Sequence, residues 1–250
     1  MMKYAVVTGG SKGLGAKIVR NLLENNVYVI SVSRGENEEI AQLKQVNNYQ
    51  FFRCNLASPT EISNVFEEIT KLVFSPETEG IYLVNNAGVI DPIETAGNLN
   101  DEAVLRNVQI NLTAPIQISN LFLQKAKETN IPLMIANVTS GAGERPVHGW
   151  SLYCSTKAGI NMFTKTVSLE LENHQSPIKI FAYSPGIMDT EMQQKIRSSS
   201  EAAFAEIEKF QGYKEKGMLR SPQVVANALV TLMMEKEIEN GKVYHVNELL

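Results

Sequence analysis

Tyr153 and Lys157 stand four positions apart in the stretch GWSLYCSTKAGINMF, residues 149 to 163, which otherwise reads as an amphipathic helix. At that spacing the two side chains share a helix face on adjacent turns. A phenol can give or take a proton, and an ammonium beside it favours the phenolate, so the pair has the makings of an acid/base catalyst. A free phenol titrates near pH 10, so work near neutrality calls for lowering its pKa by about 3, on the order of 4 kcal/mol. The same spacing also fits two amphipathic side chains snorkelling at the edge of a core. The rest of the chain decides between these readings.

A second stretch with chemical potential is TGGSKGLG, Thr8 to Gly15, which follows an apolar run and opens a helical pattern. Glycines there let backbone approach a pyrophosphate, and the helix N-terminus offers its free N–H groups. The spacing is G-x-x-x-G-x-G rather than the common G-x-G-x-x-G. The next apolar run ends in SVSRG, placing Ser33 and Arg34 where a dinucleotide fold that selects NAD usually carries an acid. An arginine fork suits a 2′-phosphate instead, and Lys12 inside the glycine loop adds a second cation. NADPH is therefore expected over NADH.

These residues need elements to hold them. Short β-branched or aromatic runs alternate with helical patterns along the whole chain, the signature of βαβ units and a parallel sheet. Seven runs read as strands: YAVVTG, VYVISVS, YQFFRCN, GIYLVNN, LMIANVTS, IKIFAYS and KVYHV. The expected fold is α/β, a Rossmann-type doubly wound parallel sheet of about seven strands flanked by helices, in one domain spanning residues 1–250. Leu14, Ile18 and Leu22 mark the apolar stripe of the first helix. Ser58, Pro59 and Glu61 form a capping-box start, and Ser221 and Pro222 begin another helix in the same way. Residues 191–218, charged and following a strand end, read as a helical lid. The Met-rich LVTLMMEKE reads as core.

Composition excludes several classes. A net charge of −4, from 23 basic and 27 acidic residues, offers no field for nucleic acid or an anionic membrane. Cys54 and Cys154 are too few for a disulfide framework or a zinc site, and His148, His174 and His245 are too scattered for a metal. No metal is expected, and both cysteines read as free thiols, Cys154 as a small packing residue on a helix face other than that of Tyr153. The N-terminus enters a strand directly, and no apolar run approaches transmembrane length, so a soluble cytoplasmic protein is expected.

Taken together, the pieces resemble the short-chain dehydrogenase/reductase family along essentially the whole chain. They come in the family's order: TGGSKGLG, then NNAG at Asn85 to Gly88, Asn111 in INLTAP, Ser140 in NVTSGAG, the Tyr153/Lys157 pair, and SPGIMDT at Ser184 to Thr190. Ser140 precedes Tyr153 by thirteen residues, the family's usual interval. The resemblance implies a catalytic set of Asn111, Ser140, Tyr153 and Lys157. Tyr153 would donate the proton, Lys157 would tune it and hold the nicotinamide ribose, Ser140 would bond the carbonyl oxygen, and Asn111 would position a water in the proton relay. Cofactor contacts are implied for Thr8, Gly9, Ser11, Lys12, Gly13, Leu14 and Gly15 in the loop, and for Ser33 and Arg34. Asn55 and Leu56, then Asn86, Ala87 and Gly88, would line the adenosine end; Pro185, Gly186, Ile187 and Thr190 would line the nicotinamide end, with Tyr153 and Lys157. Asn55 stands where the family commonly has an aspartate against the adenine.

Within the family, HGWSLYCSTKAGINMF and AYSPGIMDTEMQQ are similar to the branch that holds sepiapterin reductase and bacterial reductases of aromatic diketones. Val147, Trp150, Met188 and Met192 are candidates for an apolar substrate pocket, Trp150 being either a pocket wall or a core residue. The expected reaction is reduction of a small-molecule ketone such as benzil at one carbonyl, giving the (S)-hydroxyketone. Sepiapterin reductase anchors its pterin with an acid near the C-terminus, where this chain has His245, which disfavours a pterin. A non-catalytic NADP(H)-binding redox sensor is the alternative from another class. Helices holding Asn111 and Tyr153 pair subunits in many members, so the resemblance implies a homodimer or homotetramer.

Overall fold

The structure, a computed structural model, describes residues 1–41, 47–172 and 177–250. Its centre is a seven-stranded parallel sheet in the order β3-β2-β1-β4-β5-β6-β7. The strands are β1 Met2–Thr8, β2 Tyr28–Ser33, β3 Tyr49–Arg53, β4 Thr78–Asn85, β5 Leu133–Val138, β6 Ile178–Ser184 and β7 Val243–His245. Each of the seven expected runs is a strand, and the boundaries move by a residue or two.

Alternation along the strands divides the core between the two faces. Ala5 and Val7 of β1 and Phe181 and Tyr183 of β6 face α1 (Gly13–Glu24) and α9 (Pro222–Glu235), where Ile18, Leu22, Leu229 and Met233 are buried. The Met-rich segment is core, as its pattern indicated. Val6, Leu83, Ile135 and Ile180 face the other way, against α3 (Pro59–Val73), α5 (Ala114–Thr129) and α6 (Ser151–Glu172). Period-two burial on both faces is what a sheet covered on both sides requires.

Shorter helices among the described residues are α2 Glu38–Ala41, α7 Glu191–Arg197 and α8 Ile207–Glu215; α4, Asp101–Val108, runs through a π-helical turn, Gln109–Thr113, into α5. The expected 191–218 lid material is thus two helices joined by a non-helical stretch. The Ser58 cap forms, its hydroxyl accepting from Glu61 N–H at 3.3 Å, but the Glu61 carboxylate accepts from Asn55 N–H at 2.8 Å rather than closing the box on Ser58. No helix among the described residues is long and apolar enough to cross a membrane. His174 lies outside the described residues.

The strand order reverses between β1 and β4. Ligands of open α/β sheets bind in the crevice at the carboxyl ends of the strands on either side of such a switch point. The glycine loop leaves β1 there, and Asn86 to Gly88 leave β4.

Candidate active site

The glycine loop is built for close approach. Gly9 and Gly13 have φ of +70° and +55°, a region that favours glycine. A Cβ on Gly15 would lie 2.2 Å from the Gly9 carbonyl oxygen, so the loop folds onto itself too tightly for any other residue there. Lys12, the N-cap of α1, makes no side-chain cap. The first N–H groups of α1 therefore keep their donor capacity, which fits a pyrophosphate. Asn86 holds the loop from the β4 side: its Nδ2 donates to Thr8 O at 2.9 Å, while the Thr8 hydroxyl accepts from Asn86 and Ala87 N–H at 3.0 and 3.1 Å.

At the adenosine end, Arg34 is exposed beyond β2, with Ser33 Oγ donating to Gly35 O at 2.7 Å. Arg53, at the end of β3, donates from Nε to Arg34 O at 3.0 Å, so a second arginine reaches the loop that carries Arg34. Its neighbour was not singled out from the sequence because nothing in β3 alone shows which way an exposed strand-end arginine turns. Lys12 forms an ion pair with Glu191 of α7 rather than standing free. Asn55 is exposed, and its Oδ1 accepts from Ala57 N–H at 3.1 Å; the buried Leu56 follows it.

The catalytic candidates come together at the ends of β4 and β5. Ser140 caps a 3-10 turn, Gly141–Gly143, accepting from Ala142 N–H at 3.2 Å. A Cβ on Gly143 would lie 2.8 Å from the Lys157 carbonyl, so that turn presses directly on α6 and carries Ser140 to Tyr153. Asn111 sits in the π-helical turn. Its Nδ2 donates to Val89 O at 2.7 Å and to Asn107 Oδ1 at 2.9 Å, and its Oδ1 accepts from Val89 N–H at 2.8 Å. Both amide protons are thereby committed to the protein. Gly88 fills the gap between Asn111 and Lys157: a Cβ there would lie 3.3 Å from Asn111 Oδ1 and 3.6 Å from Lys157 Nζ.

The electrostatics differ from the expectation. Burial pushes the Tyr153 phenol up to about 12 despite an opposing hydrogen bond from Ser140. Lys157, 4% exposed, is pushed down to about 8 by burial. Its Nζ donates to Val138 O at 2.9 Å and lies 5.7 Å from the centre of the Tyr153 ring. The predicted lowering of the phenol pKa is therefore absent from the protein alone, because desolvation outweighs the Ser140 hydrogen bond. A consequence is measurable. The unfolded chain holds the Lys157 proton up to pH about 10.5 while the folded chain releases it near 8, so folding is opposed by about 3 kcal/mol below pH 8 and stability rises between the two values. Lys157→Met removes that penalty but leaves Val138 O unpaired, at a cost of about 1 kcal/mol. The variant is expected to be about 2 kcal/mol more stable at pH 7 in urea titrations, with the gap closing by pH 10. A less stable variant at pH 7 would refute the burial account.

Above the site lies an apolar roof. Trp150 stacks on Phe204 at 5.1 Å and meets Tyr153 and Phe210 edge-on at 5.7 and 5.4 Å. Val147, Ile196 and Ile207 are buried in the same cluster, with Met192 and Cys154 partly buried against it. The lid helices thus close over the phenol, and Trp150 is packed as a buried member of this cluster. His148 Nδ1 accepts from Ala205 N–H at 3.2 Å, tying the loop before α6 to the lid. His245 pairs with Glu144 at 3.4 Å. Met188 departs from its expected place: it packs against the α1/α9 cluster, and its backbone bridges to Arg220. Gly186, with φ +70°, starts that turn beside Pro185, while Thr190 caps α7 after Ile187. Among the described residues, no group of three or more His, Cys, Asp or Glu is placed to hold a metal ion.

The sequence matches the family profile described as short chain dehydrogenase over residues 3–201. It is 40% identical over 249 residues to the Bacillus subtilis (strain 168) protein named benzil reductase ((S)-benzoin forming), covering 100% of both chains. Identity to the protein of that name from Bacillus cereus is 37%, over 99% of this chain and 100% of the other. The solved structure of the KRED1-Pglu enzyme superposes with a TM-score of 0.83 at 27% identity, over 97% of this chain and 100% of that one. Profile, full-length identity and sheet topology agree, and the chain belongs to the short-chain dehydrogenase family.

Proposed function

We propose that the protein is an NADPH-dependent carbonyl reductase that reduces an aromatic 1,2-diketone such as benzil at one carbonyl, giving the (S)-hydroxyketone. The observation that carries this reading is the cluster of Ser140, Tyr153 and Lys157 beneath an apolar roof at the carboxyl end of the sheet. Full-length identity to the two Bacillus reductases supports the choice of substrate. The glycine loop, Arg34, Asn55, Asn86 and the Pro185 to Thr190 segment would hold the cofactor. When bound, NADPH supplies the hydride that the carbonyl carbon accepts.

The chain's own residues handle the oxygen. Tyr153, kept protonated by burial, gives its phenolic proton to the developing alkoxide. Ser140 donates a hydrogen bond to the same oxygen. Lys157, in its charged form, stabilises the phenolate left behind, and Asn111 holds the turn from which a water resupplies the proton. Val147, Trp150 and Met192 exclude bulk water, which strengthens each of these interactions. Leu105 on α4 and Met162 and Leu169 on α6 are exposed apolar residues on adjacent helices, which supports assembly as a homodimer or homotetramer through that face.

The decisive assay is benzil with NADPH, followed by chiral chromatography. A single (S)-benzoin enantiomer with little over-reduction is the expected product, since the site presents one ketone face and the hydroxyketone is less electrophilic than the diketone. Racemic benzoin, or no benzoin beside brisk turnover of a pterin, would refute the assignment.

A further inference from the structure

The buried face of α7 carries a polar side chain that the proposed chemistry leaves unused. Gln193 is 4% exposed, and neither its amide nitrogen nor its amide oxygen has a hydrogen-bond partner. Met192 and Ile196, which share that face, pack into the apolar cluster of Trp150, Tyr153 and Phe204. The indole N–H of Trp150, in that same cluster, is also buried and unpaired. Buried polar groups are almost always satisfied, and a methionine of similar length would fill the place without the penalty. Two unpaired buried donors, one in this cluster and one on the helix that packs against it, fit a ligand that brings its own acceptor.

Two ion pairs fix α7 against the loops that follow β1 and β4. Glu191 pairs with Lys12 of the glycine loop, and Lys195 pairs with Asp91, beyond β4, at 2.6 Å. Gln193, two residues from each anchor, is on the opposite, buried side of the helix. Ser140 and Tyr153 serve the carbonyl being reduced, which leaves Gln193 for another atom. Gln193 Nε2 offers protons, and a ketone oxygen only accepts them.

Building on the carbonyl-reductase reading above, we propose that Gln193 is a specificity-determining residue whose amide N–H binds a second substrate oxygen, the carbonyl adjacent to the one reduced. The site then takes vicinal dicarbonyls in preference to simple aryl ketones. A ketone without the second oxygen would leave the buried amide unpaired, and sites built to bond a group discriminate strongly against analogues that lack it.

The test compares kcat/KM for benzil with that for 2,2,2-trifluoroacetophenone, an activated aryl ketone with one oxygen, in the wild type and in Gln193→Met. The benzil-to-trifluoroacetophenone ratio is expected to fall at least tenfold, through KM for benzil, with KM for NADPH unchanged. The ligand-free variant is expected to melt at a temperature no lower than the wild type, since an unpaired amide is removed. An unchanged ratio overturns the proposal, as does an effect confined to NADPH, which would assign Gln193 to the cofactor. A clearly lower melting temperature also overturns it, because the amide would then be paired in the free protein. Wild-type protein that turns over neither ketone refutes the reductase reading itself, a separate failure.

Discussion

Tyr153→Phe is expected to bind NADPH as the wild type does and to lose at least about a hundredfold in turnover, about 2.7 kcal/mol of barrier. The substitution removes one oxygen and keeps the ring. The edge-on contact with Trp150 at 5.7 Å is a ring contact and survives. Ser140 retains its bond from Ala142 N–H, so the turn that carries it has no reason to move. What is lost is the one buried hydroxyl whose pKa of about 12 keeps it protonated and ready to donate. Trp150, the sole tryptophan, packs against that ring and is buried in the roof, so its fluorescence reports binding in the variant directly. Oxidation of NADPH with benzil, read at matched cofactor saturation, gives the rate. Wild-type turnover in Tyr153→Phe would dismiss Tyr153 as the proton donor.

The wild type is expected to prefer NADPH over NADH by at least about a hundredfold in kcat/KM, and Arg34→Asp to abolish or reverse most of that preference. Arg34 lies exposed just past β2, its backbone carbonyl held by Arg53 Nε at 3.0 Å. A guanidinium there can fork onto a 2′-phosphate, at roughly 1.5–3 kcal/mol for each charge-assisted contact. Lys12 is paired with Glu191, but both side chains are about two-thirds exposed. An exposed pair of this kind is worth about 0–1 kcal/mol, so a phosphate dianion outcompetes the carboxylate. An aspartate at 34 would repel that phosphate and offer acceptors to the hydroxyls of NADH. The hydrogen bonds of Ser140, Asn111 and Lys157 do not involve Arg34, so the maximal rate with the preferred cofactor is expected to stay within a few-fold. Equal efficiency with the two cofactors in the wild type would refute the role of Arg34.

Much of this architecture was legible from local pattern. β-branched and aromatic runs read as strands because their alternation is imposed by the residues beside them, and seven such runs became seven strands. The glycine loop announced itself because the positive φ of Gly9 and Gly13 and the approach of Gly15 to the Gly9 carbonyl are short-range matters. Tyr153 and Lys157 shared a face because both lie on one helix, α6, whose geometry needs no other element.

The features that escaped were those assembled by distant segments. Met188 packs against the α1/α9 cluster, and its backbone bridges to Arg220, a partner 32 positions away. Lys12 met Glu191 across 179 residues. The polar network of Asn85, Ser119, Asn137 and Thr164 joins β4, α5, β5 and α6 beneath the site, and no local pattern marks it. Most telling is the phenol. Helical spacing brings an ammonium near Tyr153 and predicts a lowered pKa; the roof of Phe204, Ile207 and Phe210, more than fifty residues on, removes the water and raises it. Periodicity and spacing depend on chain neighbours and are written in the order of residues, whereas burial depends on which elements pack together, and with burial come the charge state of Lys157 and the unpaired amide of Gln193.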